Sequence, residues 1–284
     1  MTGLTDLFRY PFFVNALVTG SAVAVAAAVS GYFMVCRNAT FAGHALPNVG
    51  FAGAAGAVLL GIEPVYGLFA ITVLAAVAIG LVGRDLRERD VAVGVVMTFA
   101  LGLGFLFLAL YSGYAQRVYG ILFGSILGIS VQAARVTAVA AAASIAVLAF
   151  FYRPLLFSTF DPELAAARGV PVTLLSVVFL VILAVIASLA VQVMGALLLF
   201  TLLVGPAATA SRIVRRPLRA IVLSVGLGLA YVWVGIIIAA ASGRLPVSFC
   251  IASLSFMVYL PVRLLVRGGS AGHSHGAGLT REHA

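Results

Sequence analysis

The 284-residue chain contains not one lysine. That absence removes whole mechanisms. A phosphate-binding P-loop needs its Lys at the phosphates, so this chain cannot bind ATP in that way. A Schiff-base amine of the aldolase kind is equally excluded. Any nucleotide energy must come from another chain. Charge of either sign is scarce, at 9% of residues, which is far below the soluble range. There are only two cysteines, Cys36 and Cys250, far apart and forming no CxxC. They read as small buried residues rather than as a redox or metal pair. No HExxH, no paired aspartates and no Ser/His couple at matching depths point to an intramembrane enzyme.

What the chain has instead is apolar length. Hydrophobic residues make up 63% of it, and its mean hydropathy is +1.20. A spanning helix needs about 20 mostly apolar residues. A β-barrel would alternate apolar and polar positions. Here the runs are continuous, as from Ser176 to Ala190, so helices are required. Helices also satisfy their own backbone hydrogen bonds where lipid offers no partner. The reading is an all-α, polytopic membrane helix bundle with about nine transmembrane helices and no separate soluble domain. They are expected near 12–35, 42–60, 65–83, 91–111, 131–152, 171–191, 193–211, 220–241 and 247–266. The first apolar run, Phe12 to Val35, is too long for a signal-peptide core and is expected to remain as a span.

Orientation follows from the arginines. One set of joints holds Arg37, Arg84, Arg87, Arg89, Arg153, Arg168, Arg212, Arg215, Arg216, Arg219, Arg263, Arg267 and Arg281. The other holds only Arg9, Arg117, Arg135 and Arg244. The first set is read as cytoplasmic, with the N-terminus outside and the C-terminus inside. The net charge of +9 then needs no nucleic-acid partner, because positive-inside loops and anionic membrane lipid account for it.

Few polar residues interrupt the spans. Glu63 precedes Pro64 in a tight outer joint, and Asp85, Glu88 and Asp90 read as part of a charged cytoplasmic loop. No carboxylate sits mid-span, which argues against a proton-relay pump or a stand-alone secondary transporter with midplane coupling groups. Gly50, Gly53 and Gly56 recur at period three and read as a close helix-packing face. His44 follows Arg37 by seven residues. On one continuous helix it would lie about 10 Å above that arginine. Asn48 is four residues further, on the same face, so two metal-capable groups project together. The same pair also reads as a histidine that hydrogen-bonds a neighbouring helix. Pro47 either sits in the first turns or opens a local kink.

A polar joint follows Phe160. Asp161 can cap a helix starting at Pro162, and Gly169 suits its C-terminal stop. The short helix so defined is too polar to span. It is either a surface connector or a docking element.

The segment Asp161-Pro-Glu-Leu-Ala-Ala-Ala-Arg-Gly-Val170 resembles the coupling segment of the zinc/manganese permeases of ABC importers, the ABC-3 family. Met194-Gly-Ala-Leu-Leu-Leu-Phe-Thr-Leu-Leu-Val-Gly-Pro-Ala-Ala-Thr-Ala210 resembles the family's Gly-Ala-Leu-Leu … Pro-Ala-Ala-Thr-Ala helix. Leu122-Phe-Gly-Ser-Ile-Leu-Gly-Ile-Ser130 resembles its extracellular loop. Arg89-Asp-Val-Ala-Val-Gly94 resembles its Glu-Asp-x-Ala-Ile-Gly segment, with Arg in place of Glu. The similarity runs in order over residues 12 to 266.

The resemblance implies an ABC-importer-type permease domain over 1–267, with a coupling segment at 160–170. The Gly/Ser content of 268–284, with His273 and His275, reads separately as a flexible cytoplasmic tail that is either dispensable or a loose metal sensor. It implies a transport subunit rather than an enzyme, in a prokaryotic cell membrane. Expected partners are ATP-binding cassette ATPase subunits, a second permease copy and an extracytoplasmic metal-binding protein. Phe160, Asp161, Pro162, Glu163, Ala165, Arg168 and Gly169 are the implied ATPase-coupling residues. The family's second helix typically reads Gly-Asp-Ala-x-Ser-His, whose Asp and His are associated with metal. Here the segment is Gly43-His-Ala-Leu-Pro-Asn48, so His44 and Asn48 are the implied metal residues. No resident cofactor is expected, only a transported divalent metal. Loss of the carboxylate weakens a hard-cation site, and imidazole suits Zn²⁺, so the expectation leans to zinc over manganese.

Overall fold

The computed structural model describes residues 11–82, 86–111, 130–242 and 245–271. Within them the chain is helical, in the order α1 (Pro11–Cys36), α2 (Thr40–Leu59), α3 (Pro64–Val82), α4 (Leu86–Leu110), α5 (Val131–Phe150), α6 (Tyr152–Phe160), α7 (Pro162–Ala167), α8 (Val172–Met194), α9 (Ala196–Ile213), α10 (Pro217–Ser242) and α11 (Val247–Ala271). Four helices open on proline, at Pro11, Pro64, Pro162 and Pro217. The first helical position loses nothing to Pro, because its N–H has no partner inside the helix.

Three helix ends share one geometry. Asn38, Gly61 and Gly169 have φ of 51°, 72° and 80°. In each, the next residue's N–H reaches back five residues: Ala39 to Met34 O at 2.9 Å, Ile62 to Ala57 O at 2.8 Å and Val170 to Ala165 O at 3.0 Å. The left-handed residue itself donates three residues back, to Val35, Val58 and Ala166. These are Schellman closures, which satisfy the last carbonyls of a helix and turn the chain sharply. Glycine adopts that conformation freely, and Asn is the side chain that tolerates it best.

The closure at Asn38 corrects one sequence expectation. Arg37 and His44 do not stand on one helix, because α1 ends at Cys36 and α2 begins afresh at Thr40. A second correction concerns the charged joint. Helix α4 starts at Leu86, so Glu88 and Asp90 lie in its opening turns rather than in a loop.

Among the described residues, seven helices are long and apolar enough to cross a membrane: α1, α3, α4, α5, α8, α10 and α11. The expectation of about nine is not reached on those grounds. The helices at the two remaining predicted positions are α2 and α9. Helix α2 carries His44, Asn48 and four glycines, which dilute its apolarity. Helix α9 is cut short at its start by Gly195, at φ 82° and ψ 160°. Of the nominal tail, residues 268–271 are the last turn of α11, while His273 and His275 lie outside the described residues. So does the loop motif 122–129.

Among the seven apolar helices just named, α8 and α1 are the most buried and α4 and α11 the least. Helix α1 packs on α5, α9 and α10, while α2 packs on α3 and α4. Helix α8 joins the two groups, touching α3 on one side and α1 and α5 on the other. The glycine triplet of α2 lies in this packing. Gly50 faces Leu68 and Thr72, Gly53 faces the Gly67 backbone, and Gly56 faces Phe107. At the Gly53–Gly67 crossing a Cβ on either residue would run into the other's carbonyl oxygen. Gly53→Val is therefore expected to destabilise the bundle by about 1–3 kcal/mol, the usual cost of overpacking. Thermal unfolding in detergent measures it. An unchanged midpoint would mean that the crossing relaxes without cost.

Candidate functional site

His44 and Asn48 occupy one face of α2, one turn apart, and both are half-buried among fully buried neighbours. The His44 ring stands edge-on to Phe200 of α9, with centroids 4.9 Å apart and planes at 68°. The histidine is thus held at the α2–α9 contact by an aromatic wall. Asn48 donates from Nδ2 to the His44 carbonyl at 2.8 Å. That bond fixes the carboxamide and leaves Oδ1 as its accepting end. Pro47 lies inside α2 and is buried. It has no N–H, so the Gly43 carbonyl forfeits its usual partner one turn on. The helix nevertheless continues through it to Leu59.

One copy of the chain therefore brings two donors, an imidazole and a carboxamide oxygen, to this place. Among the described residues no group of three or more His, Cys, Asp or Glu side chains comes together. Phe200 also lines a cavity of about 250 Å³ between α9 and α11, with Thr201, Gly205, Ser255 and Tyr259 among its walls. Arg212, at the end of α9, lies 5.7 Å from the Tyr259 ring. Sequence reading missed Phe200, although it lies inside the quoted 194–210 motif.

The polar joint folds as its residues require. The Asp161 carboxylate accepts from Leu164 N at 2.9 Å, capping α7. Pro162 is its first residue, and Gly169 closes it in the left-handed conformation. Ala165 is 0% exposed and anchors the helix inward. Glu163, Arg168 and Gly169 are exposed. The apolar side chains Phe160 and Leu164 are also exposed, at 63% and 45%. Just before the cap, the hydroxyls of Ser158 and Thr159 lie 3.3 and 3.4 Å from Arg37 Nη1. The α1–α2 joint and the α6–α7 element thus lie on the same side of the bundle, as their arginines had been grouped.

Residues 9–265 match the ABC 3 transport family, and the chain belongs to it. Its relatives include membrane proteins of manganese and zinc transport systems. It is 31% identical over 212 residues to the manganese transport system membrane protein MntC of Halalkalibacterium halodurans, covering 74% of this chain and 73% of that one. It is 27% identical over 203 residues to the high-affinity zinc uptake system membrane protein ZnuB of Haemophilus influenzae, covering 71% and 78%. A solved structure, PsaBC from Streptococcus pneumoniae in complex with Fab, superposes with a TM-score of 0.80 at 26% identity, covering 91% of this chain and 93% of that one.

Proposed function

We propose that this chain is the membrane permease subunit of an ATP-driven divalent-metal importer in a prokaryotic cell membrane. The observation that carries the reading is the His44–Asn48 pair on one half-buried face of α2, at the position where the family's metal-associated Asp and His are expected. Two copies facing one pathway would bring together two imidazoles and two carboxamide oxygens. Four N/O donors suit the tetrahedral preference of zinc. The names of the relatives divide between manganese and zinc. The donor set, with no carboxylate, favours zinc.

The transport domain spans residues 1–267 in this reading, with α2 and α9 crossing the bilayer beside the seven apolar helices named above. Residues 268–284 form a cytoplasmic extension. The chain hydrolyses nothing. ATPase subunits close on nucleotide and move the 160–170 segment, and the helices rock around a weak central site. Phe160, Asp161, Pro162, Glu163, Ala165, Arg168 and Gly169 form the docking element, and the exposure of Phe160 and Leu164 supports it. An extracytoplasmic metal-binding protein delivers the ion.

The test is reconstitution of the permease with its ATPase partner in liposomes, followed by ATP-dependent uptake of Zn²⁺ and Mn²⁺. Preference for Zn²⁺ is expected. Preference for Mn²⁺ would reverse the metal assignment, and uptake of neither would remove the function. Orientation has its own test. An external thiol reagent is expected to label a cysteine placed at Ser242 and not one placed at Arg216, in a background lacking Cys36 and Cys250. Labelling at 216 in intact cells would invert the topology.

A further inference from the structure

We propose that Arg37 is a positioning residue for transport: its side chain lashes the coupling element to the joint from which α2, with His44 and Asn48, departs. The proposal rests on the importer reading above.

The geometry is a three-point clamp. Nη1 donates to Ser158 Oγ at 3.3 Å and Thr159 Oγ1 at 3.4 Å, at the end of α6. Nη2 donates to Ser176 Oγ at 2.7 Å, in the first turns of α8. The guanidinium also lies over the Phe179 ring, 5.6 Å from its centroid. The two α6 hydroxyls are prepared as acceptors. Ser158 and Thr159 each give their proton to the Leu155 carbonyl, at 3.1 and 2.6 Å. Their lone pairs are then what remains for a cation. A planar fork of five N–H donors can serve several acceptors at once, which a lysine's point charge cannot do with the same geometry.

Position gives the clamp its meaning. Ser158 and Thr159 precede the Asp161 cap of α7, and Ser176 follows its Gly169 closure, so the clamp grips the coupling element at both ends. Arg37 itself is the last residue before the left-handed Asn38, where α1 stops and α2 is about to start. A displacement of α7 by a partner subunit therefore pulls on the α1–α2 joint through this side chain, beside the packing of α1 on α6 through Phe33 and Tyr152. The alternative route, through α8 alone, leads mainly to the bundle core. Charge-assisted hydrogen bonds between half-buried groups are strong enough to transmit such a pull.

The test uses the permease–ATPase complex in liposomes, with two readouts. The first is ions moved per ATP hydrolysed, measured for Zn²⁺ and Mn²⁺. Arg37→Gln is expected to lower that ratio about tenfold while ATP hydrolysis stays within about twofold, since the lost bonds are charge-assisted ones. Ser176→Ala, a milder change, is expected to act in the same direction by about threefold. The second readout needs no ion. Spin labels at Phe41→Cys and Leu164→Cys, with Cys36 and Cys250 replaced by Ser, report the distance between the start of α2 and α7. It is expected to be narrowly distributed in the parent and broadened by Arg37→Gln or Ser176→Ala. Unchanged distances in both variants, or an unchanged transport ratio in both, would overturn the clamp. If the parent complex moves neither ion, the importer reading fails while the distance measurement still decides the clamp.

Discussion

Replacing His44 by alanine is expected to reduce metal uptake by about 10–100-fold or more, since removal of even an outer partner of a metal ligand costs that much. Expression and membrane insertion are expected to hold, because the ring is only half-buried and stands edge-on to a single aromatic side chain of α9, Phe200. Two further variants separate the chemistry from packing. His44→Asp restores a carboxylate and is expected to shift preference toward Mn²⁺, the harder ion. His44→Asn keeps a hydrogen-bonding group and loses the imidazole. If His44 served only to bond a neighbouring helix, His44→Asn would transport normally. Uptake of both metals by the three variants is the measurement, and parental zinc uptake by His44→Ala would remove the metal-site assignment. Phe200 adds a sharper expectation. A change of metal preference in His44→Asp with Phe200 intact points to the donor atom itself, since the aromatic wall is unaltered.

The second large effect is expected at α7. This helix has only six residues, held by the Asp161 cap, the buried Ala165 and the Gly169 closure. Ala166→Pro removes a backbone donor and sets a ring against the carbonyl four residues back, at about 3 kcal/mol. So short a helix has no reserve against that cost. ATP-dependent uptake is expected to fall to background while the protein still inserts, because α7 lies outside the packed spans. Charge reversal at Glu163 or Arg168 is expected to uncouple hydrolysis from transport by a different route. Both residues are exposed, so their loss alters the docking surface and leaves the fold intact. Parallel assays of ATP hydrolysis and metal uptake check both. Unimpaired transport by Ala166→Pro would show that α7 is a connector only.

The parts legible in the sequence were the local ones. Asp161, Pro162 and Gly169 could be assigned their backbone roles because capping and helix closure depend on a handful of adjacent residues. The helical, membrane-spanning class was legible because continuous apolar length leaves one solution in lipid. The sharing of a face by His44 and Asn48 followed from helical period alone. Other features depend on distant segments. Nothing near Arg37 announces that Ser158, 121 residues away, or Ser176, 139 away, will accept from it. The arginine had been read only as a charge marking one side of the membrane. The Asn38 closure was hidden because a left-handed Asn leaves a fainter trace than glycine would. The opening of α4 at Leu86 was missed because charged residues suggest a loop, although acids suit a helix start. The nine-span count rested on apolar length, and α2 shows that a helix rich in glycine and polar groups need not carry that mark.

The backbone crossing of α2 and α3 at Gly53 and Gly67 has stiffness as its consequence. Side chains yield to a load by changing rotamer; two main chains in contact have no such cushion. Any sliding of α2 is then handed on to α3 almost undamped. Helix α3 presents Tyr66, Leu74, Leu81 and Val82 outward, each more than half exposed. In a bilayer those side chains are embedded in acyl chains. Under the proposed importer mechanism, the work of shifting a helix that carries the candidate metal ligands would include displacing lipid, and the membrane would act as a mechanical load on the stroke.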